Sequence, residues 1–202
     1  MGLGTPLSYF KHSAAPASMS TVLVLGGSSG VGAQAIQLLH KHSPEITILA
    51  TASPQNFDLV KSVGASHVFS YRDPDIIDQI HAIAPELNTI VDFLGSLQQD
   101  ARLLKLLEGA QQPKIVATLA LGPPTKIEVP HGVELRQDLG MINVVMNGGV
   151  HDTLQFIADA TEKGDCKLPV PVNILGKGLE TILEGYKVQE KGVSTQKVVV
   201  SL

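Results

Sequence analysis

The stretch that decides the fold is residues 21–39, TVLVLGGSSGVGAQAIQLL. It opens with a continuous apolar run ending in glycine, which is typical of a strand buried on both faces. From residue 30 to residue 41 the apolar side chains recur at helical spacing. The segment therefore predicts a strand, a glycine-rich turn and a helix in direct succession.

The same alternation of strand and helix continues along the chain. Further strands are predicted at 46–51, 67–71, 88–95 and 114–120, with helices between them that include 96–108. In SPQNFDLVKSVGA, Ser53 is expected to cap a helix, with Pro54 at its first position and Gly64 at its end. Short connections between alternating elements predict an α/β fold, a doubly wound parallel sheet of the Rossmann kind.

Beyond residue 120 the pattern loosens. Residues 121–137 are expected to form a polar loop with a short strand, 142–147 a sixth strand and 152–163 a helix. The last 36 residues differ again, with a helix at GLETILEGYKVQEKG and a final strand at QKVVVSL. The predicted organisation is an irregular lead-in (1–20), a dinucleotide-binding domain (21–166) and a C-terminal helix–strand appendage (167–202).

Composition excludes several classes of function. The 202 residues carry a formal net charge of −4 without a basic stripe, so neither nucleic acid nor a membrane is expected as a partner. The single cysteine, Cys166, and the absence of metal spacing among the histidines predict no metal site. No apolar run is long enough to span a bilayer and no signal peptide is evident, so a cytoplasmic protein is expected.

The glycine turn GGSSGVG has two readings that involve chemistry, beside that of a glycine-rich turn that binds no ligand. In the first reading the turn is a phosphate cradle. Gly26 and Gly27 would permit positive φ and leave room for a pyrophosphate, and the helix N-terminus would bind that pyrophosphate. Gly32 would let the helix pack closely against the strand. As a nucleophile elbow, G-x-S-x-G would present Ser28 to a histidine such as His131 or His151. The elbow needs strands and an oxyanion loop upstream, and only about twenty irregular residues precede it. A Walker loop is excluded because no lysine follows the glycines.

The end of the second predicted strand bears on the choice of dinucleotide. Sites that select NAD usually carry an acidic residue there, whereas this sequence has ATAS at 50–53. The sequence therefore favours NADP(H), with hydrogen bonds to the ribose 2′-phosphate expected from Ser53 and Asn56. Lys61 could add positive charge, and no arginine stands out for that purpose.

Groups with obvious chemistry are few. No tyrosine is followed four residues later by lysine, which disfavours the short-chain reductases. Asp92, at the end of a buried strand, is either functional or a hydrogen-bonded structural group. Cys166 is expected to be an unreactive thiol. The sequence identifies no catalytic residue.

Four segments together carry a family resemblance: residues 21–39, ATASPQNFDLVKSVGASHVFSYRDPD, NTIVDFLG, and the tail from VNILGKGLE onwards. They resemble the zinc-free branch of the medium-chain dehydrogenase/reductase superfamily, namely quinone oxidoreductases and fungal trans-acting enoyl reductases of polyketide pathways. The resemblance implies hydride transfer from NADP(H) to an activated C=C bond or a quinone. It also implies that Tyr71 lies near the adenosine. The expected cofactor-binding residues are Gly27, Ser28, Ser29, Gly30, Val31, Gly32, Ser53, Asn56, Lys61 and Tyr71.

The sequence also departs from that family, whose members begin with a β-rich catalytic domain not found here. The tail normally completes that domain, so its strand KVVVSL is expected to lack its usual partners and to favour a homodimer or other self-association. Three functions stay open: an oxidoreductase acting on a small-molecule substrate, a truncated remnant without turnover, and a protein recruited to a non-redox or binding role. A serine hydrolase acting through Ser28 is the minor alternative.

Overall fold

The computed structural model describes residues 20–109, 114–119, 127–138 and 149–202. Its helices and strands follow the predicted alternation. The strands are β1 Thr21–Leu25, β2 Thr47–Ala52, β3 His67–Ser70, β4 Thr89–Asp92, β5 Lys114–Leu119, β6 Val133–Asp138, β7 Val172–Lys177 and β8 Lys197–Ser201. The α-helices are α1 Gly30–His42, α2 Phe57–Ser62, α3 Ile76–Ile83, α4 Gly149–Glu162 and α5 Thr181–Glu190, and 3-10 helices occupy Pro54–Asn56, Ser96–Gln98 and Arg102–Leu107.

The main sheet has the order β3-β2-β1-β4-β5-β6 within the described residues, and all its pairings are parallel. The chain runs outward from β1 to β3, then returns to the other side of β1 and runs outward again to β6. This is the strand order of the doubly wound dinucleotide-binding fold, and it confirms the predicted fold class. The order reverses between β1 and β4, so a crevice opens there at the carboxyl ends of the strands.

Two apolar layers cover the two faces of this sheet, because successive side chains of a strand point to opposite faces. On β1, Leu23 and Leu25 pack in the layer that contains Ile76 and Ile80 of α3. The alternate residues of β1 pack in the other layer, with Ile36 of α1 and Val60 of α2. Burial on both faces explains why β1 is a continuous apolar run.

The predicted helix at 96–108 is wrong in type, because the segment forms two 3-10 helices. Gly95 precedes the first of them in a left-handed conformation, with φ of 67°. The second one buries four leucines, which form two pairs with a spacing of three residues: Leu103 with Leu106, and Leu104 with Leu107. A three-residue repeat suits the three residues per turn of a 3-10 helix.

The short strand expected in the polar loop at 121–137 is present as β6, which ends one residue beyond that segment and is the sixth strand of the sheet among the described residues. The predicted strand at 142–147 falls outside the described residues, as do residues 1–19 of the predicted lead-in. The helix predicted at 152–163 is present as α4, which begins three residues earlier.

The C-terminal appendage forms a small unit of its own. Strand β8 pairs in parallel with β7, and α5 connects them. This last strand is therefore not unpaired, because β7 pairs with it along one edge. The expectation that it lacks the partners usual in that family stays a prediction. Within the described ranges, no helix is both long and apolar enough to cross a bilayer.

The chain leading into the appendage is fixed to α1 by side chains spaced along one face of that helix. Gln37 donates to the Lys167 carbonyl at 3.1 Å and accepts from the Lys167 N–H at 2.8 Å. One turn further on, Lys41 forms an ion pair with Asp165 at 3.0 Å. One turn earlier, the Gln34 amide donates to the buried Cys166 sulfur. The cysteine is thus a structural group, as expected.

Candidate functional site

The turn between β1 and α1 lies at the carboxyl edge of the sheet, beside the crevice. Gly26 takes a φ of +75°, which L side chains rarely adopt. Its N–H donates to the Thr51 hydroxyl at 3.1 Å, and the Gly27 N–H donates to the Thr51 carbonyl at 2.9 Å. The turn is therefore tied to the end of β2, the strand that carries the next predicted site residues.

The first turn of α1 presents free donors to the space in front of it. Ser29 caps the helix by accepting from the Gly32 N–H at 3.0 Å. The N–H groups of Gly30 and Val31 have no acceptor within the helix, as is usual for a first turn, and meet none elsewhere among the described residues. Gly30 and Val31 are exposed, and a Cβ at Gly30 would meet no atom within 4 Å. Open space, free N–H groups and the positive end of the helix dipole together suit an anion.

Close packing requires glycine at both Gly32 and Gly27. This was predicted for Gly32 and not for Gly27. A Cβ on Gly32 would lie 2.3 Å from the Gly26 carbonyl oxygen, so glycine there does let the helix approach the strand. Gly27 was expected to use positive φ and to leave room for a ligand, and this is wrong. Gly27 is buried, and its Cβ would point at Ala50, 2.9 Å away in the core between the sheet and its helices.

A second group of predicted residues gathers at the ends of β2 and β3. The Ser53 hydroxyl lies 3.2 Å from the Tyr71 hydroxyl, although eighteen residues separate them in sequence. Ser53 makes no side-chain cap, contrary to expectation, because its hydroxyl faces Tyr71 instead. Pro54 does occupy the first helical position. Tyr71 is 44% exposed, so the pair borders solvent and is open to a ligand.

Asn56 connects the glycine turn with the C-terminal appendage. It is 7% exposed, and its amide nitrogen lies 3.4 Å from the Ser28 hydroxyl and 3.3 Å from the Ser194 hydroxyl. The residue after Ser194, Thr195, has a φ of 52°, which is unusual for a residue other than glycine. Sequence reasoning did not find Ser194, because nothing local marks a serine near the C-terminus as a neighbour of Asn56.

Lys61 is not brought into either group. It lies exposed in the last turn of α2, and no ion pair or hydrogen bond joins its ammonium to another described residue. The positive charge beside Tyr71 belongs to Arg72, whose guanidinium carbon lies 5.0 Å from the centre of the Tyr71 ring. Sequence reasoning missed Arg72, although its place directly after a predicted strand was a usable signal.

Leu94 lines the crevice where β1 and β4 diverge. Its side chain lies over Gly26, since a Cβ there would come within 2.4 Å of Leu94 Cδ1. Leu94 is 50% exposed, so it offers an apolar surface beside the free N–H groups of α1. An exposed leucine after a buried strand gives no functional signal in sequence.

Asp92 is a structural group. It is fully buried, and its carboxylate accepts hydrogen bonds from the Leu94 N–H at 3.0 Å, the Leu97 N–H at 2.8 Å and the Ser96 hydroxyl at 3.1 Å. Three donors satisfy this carboxylate and fix the turn after β4. Asp92 therefore shapes the wall of the crevice that carries Leu94.

The electrostatics beside Arg72 are set by Asp73. The N–H of Asp75 donates to its carboxylate at 3.0 Å and the Gln79 amide at 2.8 Å. The hydrogen bond from the Asp75 N–H lowers the pKa of Asp73 most, and the one from Gln79 lowers it further. The charge of Arg102 adds a smaller effect in the same direction, so the pKa lies below its ordinary value. This carboxylate is thus directed at the start of α3.

The nucleophile-elbow reading of Ser28 finds no support in the geometry. Its hydroxyl meets the Asn56 amide, and no hydrogen bond to a histidine is found among the described residues. Nor do three or more of the histidine, cysteine and acidic residues that are described gather closely enough to hold a metal ion.

Comparison with known proteins gives these features a context. The chain is 34% identical over 184 residues to the trans-enoyl reductase himH of Aspergillus japonicus, covering 90% of this chain and 52% of that protein. It is 32% identical over 194 residues to the dehydrogenase orsE of Emericella nidulans, covering 91% and 51%. Its homologues are fungal trans-enoyl reductases and dehydrogenases. No protein-family model matches the chain.

Solved structures agree on the fold. The CurK enoyl reductase superposes with a TM-score of 0.68 at 19% identity, over 98% of this chain and 61% of that one. The alcohol dehydrogenase of Aeropyrum pernix superposes with a TM-score of 0.61 at 21% identity, over 91% and 50%. The relatives confirm the resemblance to fungal trans-enoyl reductases and dehydrogenases, and the solved structures confirm the fold alone. The chain spans about half the length of the curated relatives that it matches.

Proposed function

We propose that this chain binds NADP(H) and acts in a reductase of the enoyl or quinone type. The observation that carries the proposal is the position of the α1 N-terminus. Its free N–H groups lie in the first β-α unit, at the crevice of a sheet with the order β3-β2-β1-β4-β5-β6. Dinucleotides bind at this point of such sheets, with the pyrophosphate on the helix N-terminus.

The residues present fit each part of such a cofactor. The pyrophosphate would accept from the N–H groups of Gly30 and Val31, where a Cβ at Gly30 would project into open space. The ribose of the adenosine half would lie by the Ser53 and Tyr71 hydroxyls. The nicotinamide half would extend along the crevice toward Leu94, whose exposed surface would exclude water from one side.

Preference for NADP(H) over NAD(H) follows from the end of β2. An acidic side chain there would accept from the ribose 2′-hydroxyl and repel a 2′-phosphate. In this chain β2 ends at Ala52, and the next residue is Ser53, whose hydroxyl meets a second hydroxyl. Both are neutral groups that can donate a hydrogen bond to a phosphate oxygen.

When bound, NADPH would supply a hydride to an electron-poor carbon of an enone or to a quinone. The enoyl class is supported by himH, which is named a trans-enoyl reductase, and a redox reaction by orsE, which is named a dehydrogenase. The quinone alternative rests on the resemblance noted in the sequence. The chain's own part would be to hold the dinucleotide and to orient its nicotinamide over the crevice.

Calorimetric titration of the 202-residue protein with NADPH and with NADH tests the binding. We expect micromolar binding of NADPH and much weaker binding of NADH. Loss of nicotinamide absorbance in the presence of enones and quinones then tests turnover. Binding without turnover of any of them would favour a cofactor-binding or recruited role, and no binding by the folded protein would refute the proposal.

A fluorophosphonate probe addresses the hydrolase alternative, with Ser28→Ala as the matched control. We expect no labelling of Ser28, because its hydroxyl lies by the Asn56 amide and no imidazole of the described residues forms a hydrogen bond with it. Labelling that disappears in Ser28→Ala would favour the hydrolase instead.

A further inference from the structure

Arg72 lies at the adenosine end of the proposed site, next to the Ser53–Tyr71 hydroxyl pair. Its guanidinium carbon is 5.0 Å from the centre of the Tyr71 ring, and the Tyr71 hydroxyl is 3.2 Å from that of Ser53. We infer that Arg72 supplies the cation that binds the 2′-phosphate of NADP(H) and thereby discriminates against NADH. This inference rests on the proposed function and names the specificity-determining residue within that site.

Sheet register brings Arg72 to the same edge of the sheet as Ser53. Strands β2 and β3 are parallel, with Ala52 opposite Ser70 at their carboxyl ends. Ser53 and Tyr71 follow these two residues, and their hydroxyls meet. Arg72 comes one residue later, on the same edge of the sheet.

Two further hydrogen bonds hold the backbone of this corner. The Arg72 N–H donates to the Ser70 hydroxyl at 3.3 Å. The Arg102 guanidinium donates to the Tyr71 carbonyl and forms an ion pair with Asp100 at 3.0 Å. Arg102 therefore fixes the backbone that carries Arg72, while its own charge is already matched by a carboxylate.

The carboxylates of this corner leave Arg72 without a partner. Asp73 is the adjacent residue, but its two oxygens accept from the Asp75 N–H and the Gln79 amide at the start of α3. Asp100 pairs with Arg102. No ion pair involves Arg72 within the described residues, and its guanidinium lies over the Tyr71 ring. An exposed cation that is stacked on a ring and lacks a carboxylate partner remains available for an anion.

Arg72 also suits a phosphate better than Lys61 does. A guanidinium presents parallel N–H groups that match two phosphate oxygens, whereas an ammonium acts as a point charge. Stacking on Tyr71 already restricts the Arg72 side chain, so less rotamer entropy is lost when it binds. Lys61 lies in the last turn of α2, and no hydrogen bond among the described residues joins it to either hydroxyl of the pair.

The test is calorimetric titration of wild type, Arg72→Gln and Lys61→Gln with NADPH and NADH. Both variants remove one positive charge from an exposed residue, so Lys61→Gln is the matched control. Arg72→Gln should weaken NADPH binding by roughly tenfold to a hundredfold, as expected for a lost charged hydrogen bond, and change NADH binding by less than about twofold. Lys61→Gln should weaken NADPH by less than about threefold. Unchanged melting temperatures would show that both variants fold.

Three results would overturn the inference. Equal losses for NADPH and NADH in Arg72→Gln would mean that Arg72 contacts a part common to both cofactors. A larger loss of NADPH binding in Lys61→Gln would assign the charge to Lys61. If the wild type binds NADH as tightly as NADPH, the chain has no specificity for Arg72 to explain, although dinucleotide binding stands. If the wild type binds neither cofactor, the proposed function itself is refuted. The fragment 2′,5′-ADP, which carries the 2′-phosphate without nicotinamide, should show the same loss in Arg72→Gln.

Discussion

Replacing Gly32 by alanine tests how tightly α1 is packed on the turn that precedes it. The new Cβ would lie 2.3 Å from the Gly26 carbonyl oxygen, about 1.1 Å short of the 3.4 Å of ordinary contact. Because the obstructing atom belongs to the backbone, helix and turn must separate. Overpacking of this kind costs about 1–3 kcal/mol. Strain in the Ser29–Gly32 cap adds about 1 kcal/mol, and the higher helix propensity of alanine returns about 1 kcal/mol.

We therefore expect Gly32→Ala to lower the free energy of unfolding by about 2 kcal/mol. For a chain of this length, that is a fall in melting temperature of about 4–8 °C, measurable by circular dichroism. It should also weaken NADPH binding, since the N–H groups of Gly30 and Val31 move with the helix. A melting temperature equal to that of the wild type would refute the packing argument.

Gly30→Ala is the matched control, two residues earlier in the same helix. Its Cβ would enter open space, so the melting temperature should stay the same or rise slightly. The same methyl group would stand where the pyrophosphate is expected, so NADPH affinity should fall about tenfold or more. Full NADPH binding by Gly30→Ala would mean that the phosphate does not lie there.

Three further predictions concern the rest of the molecule. Asp92→Ala leaves the N–H groups of Leu94 and Leu97 without their acceptor, so it should cost about 3 kcal/mol in urea unfolding; a loss below about 1 kcal/mol would contradict the structural role. Burial lowers the pKa of Lys114, and the charges of Glu86 and Glu108 oppose this in part. The Lys114 ammonium therefore loses its proton at lower pH in the folded state than in the unfolded state. Stability should therefore rise as pH rises through the lowered pKa toward 10.5, and Lys114→Met should flatten that rise in urea midpoints; an unchanged slope would be inconsistent with it. Finally, α5 leaves Leu183 69% exposed and Tyr186 70% exposed, so the protein should self-associate in analytical ultracentrifugation, and Leu183→Ser should reduce this; a monomer at every concentration would contradict the prediction.

Local patterns predicted the elements near the site, and they failed where packing selects among similar local structures. The β1–turn–α1 unit was predictable because an apolar run, a glycine turn and a helical repeat each act over a few residues. The four leucines of Arg102–Leu107 suggested an α-helix, whereas burial at a three-residue repeat gives a 3-10 helix. Strand β6 was expected only as a short strand within a polar loop, because its sequence, VELRQD, is mostly polar, as suits the last strand of the sheet among the described residues.

The sequence by itself determined the β-α alternation, the glycine turn at the start of α1 and the absence of an acidic residue after β2. Each of these features depends on a few consecutive residues, so it can be read from the sequence without knowledge of the tertiary contacts. Only the tertiary structure decided that Gly27 faces the core, that Asp92 is satisfied by its own turn, and that Ser53 meets Tyr71. The reason is that sheet register and side-chain direction depend on contacts between residues that are distant in sequence. The same contacts place Arg72 beside that hydroxyl pair.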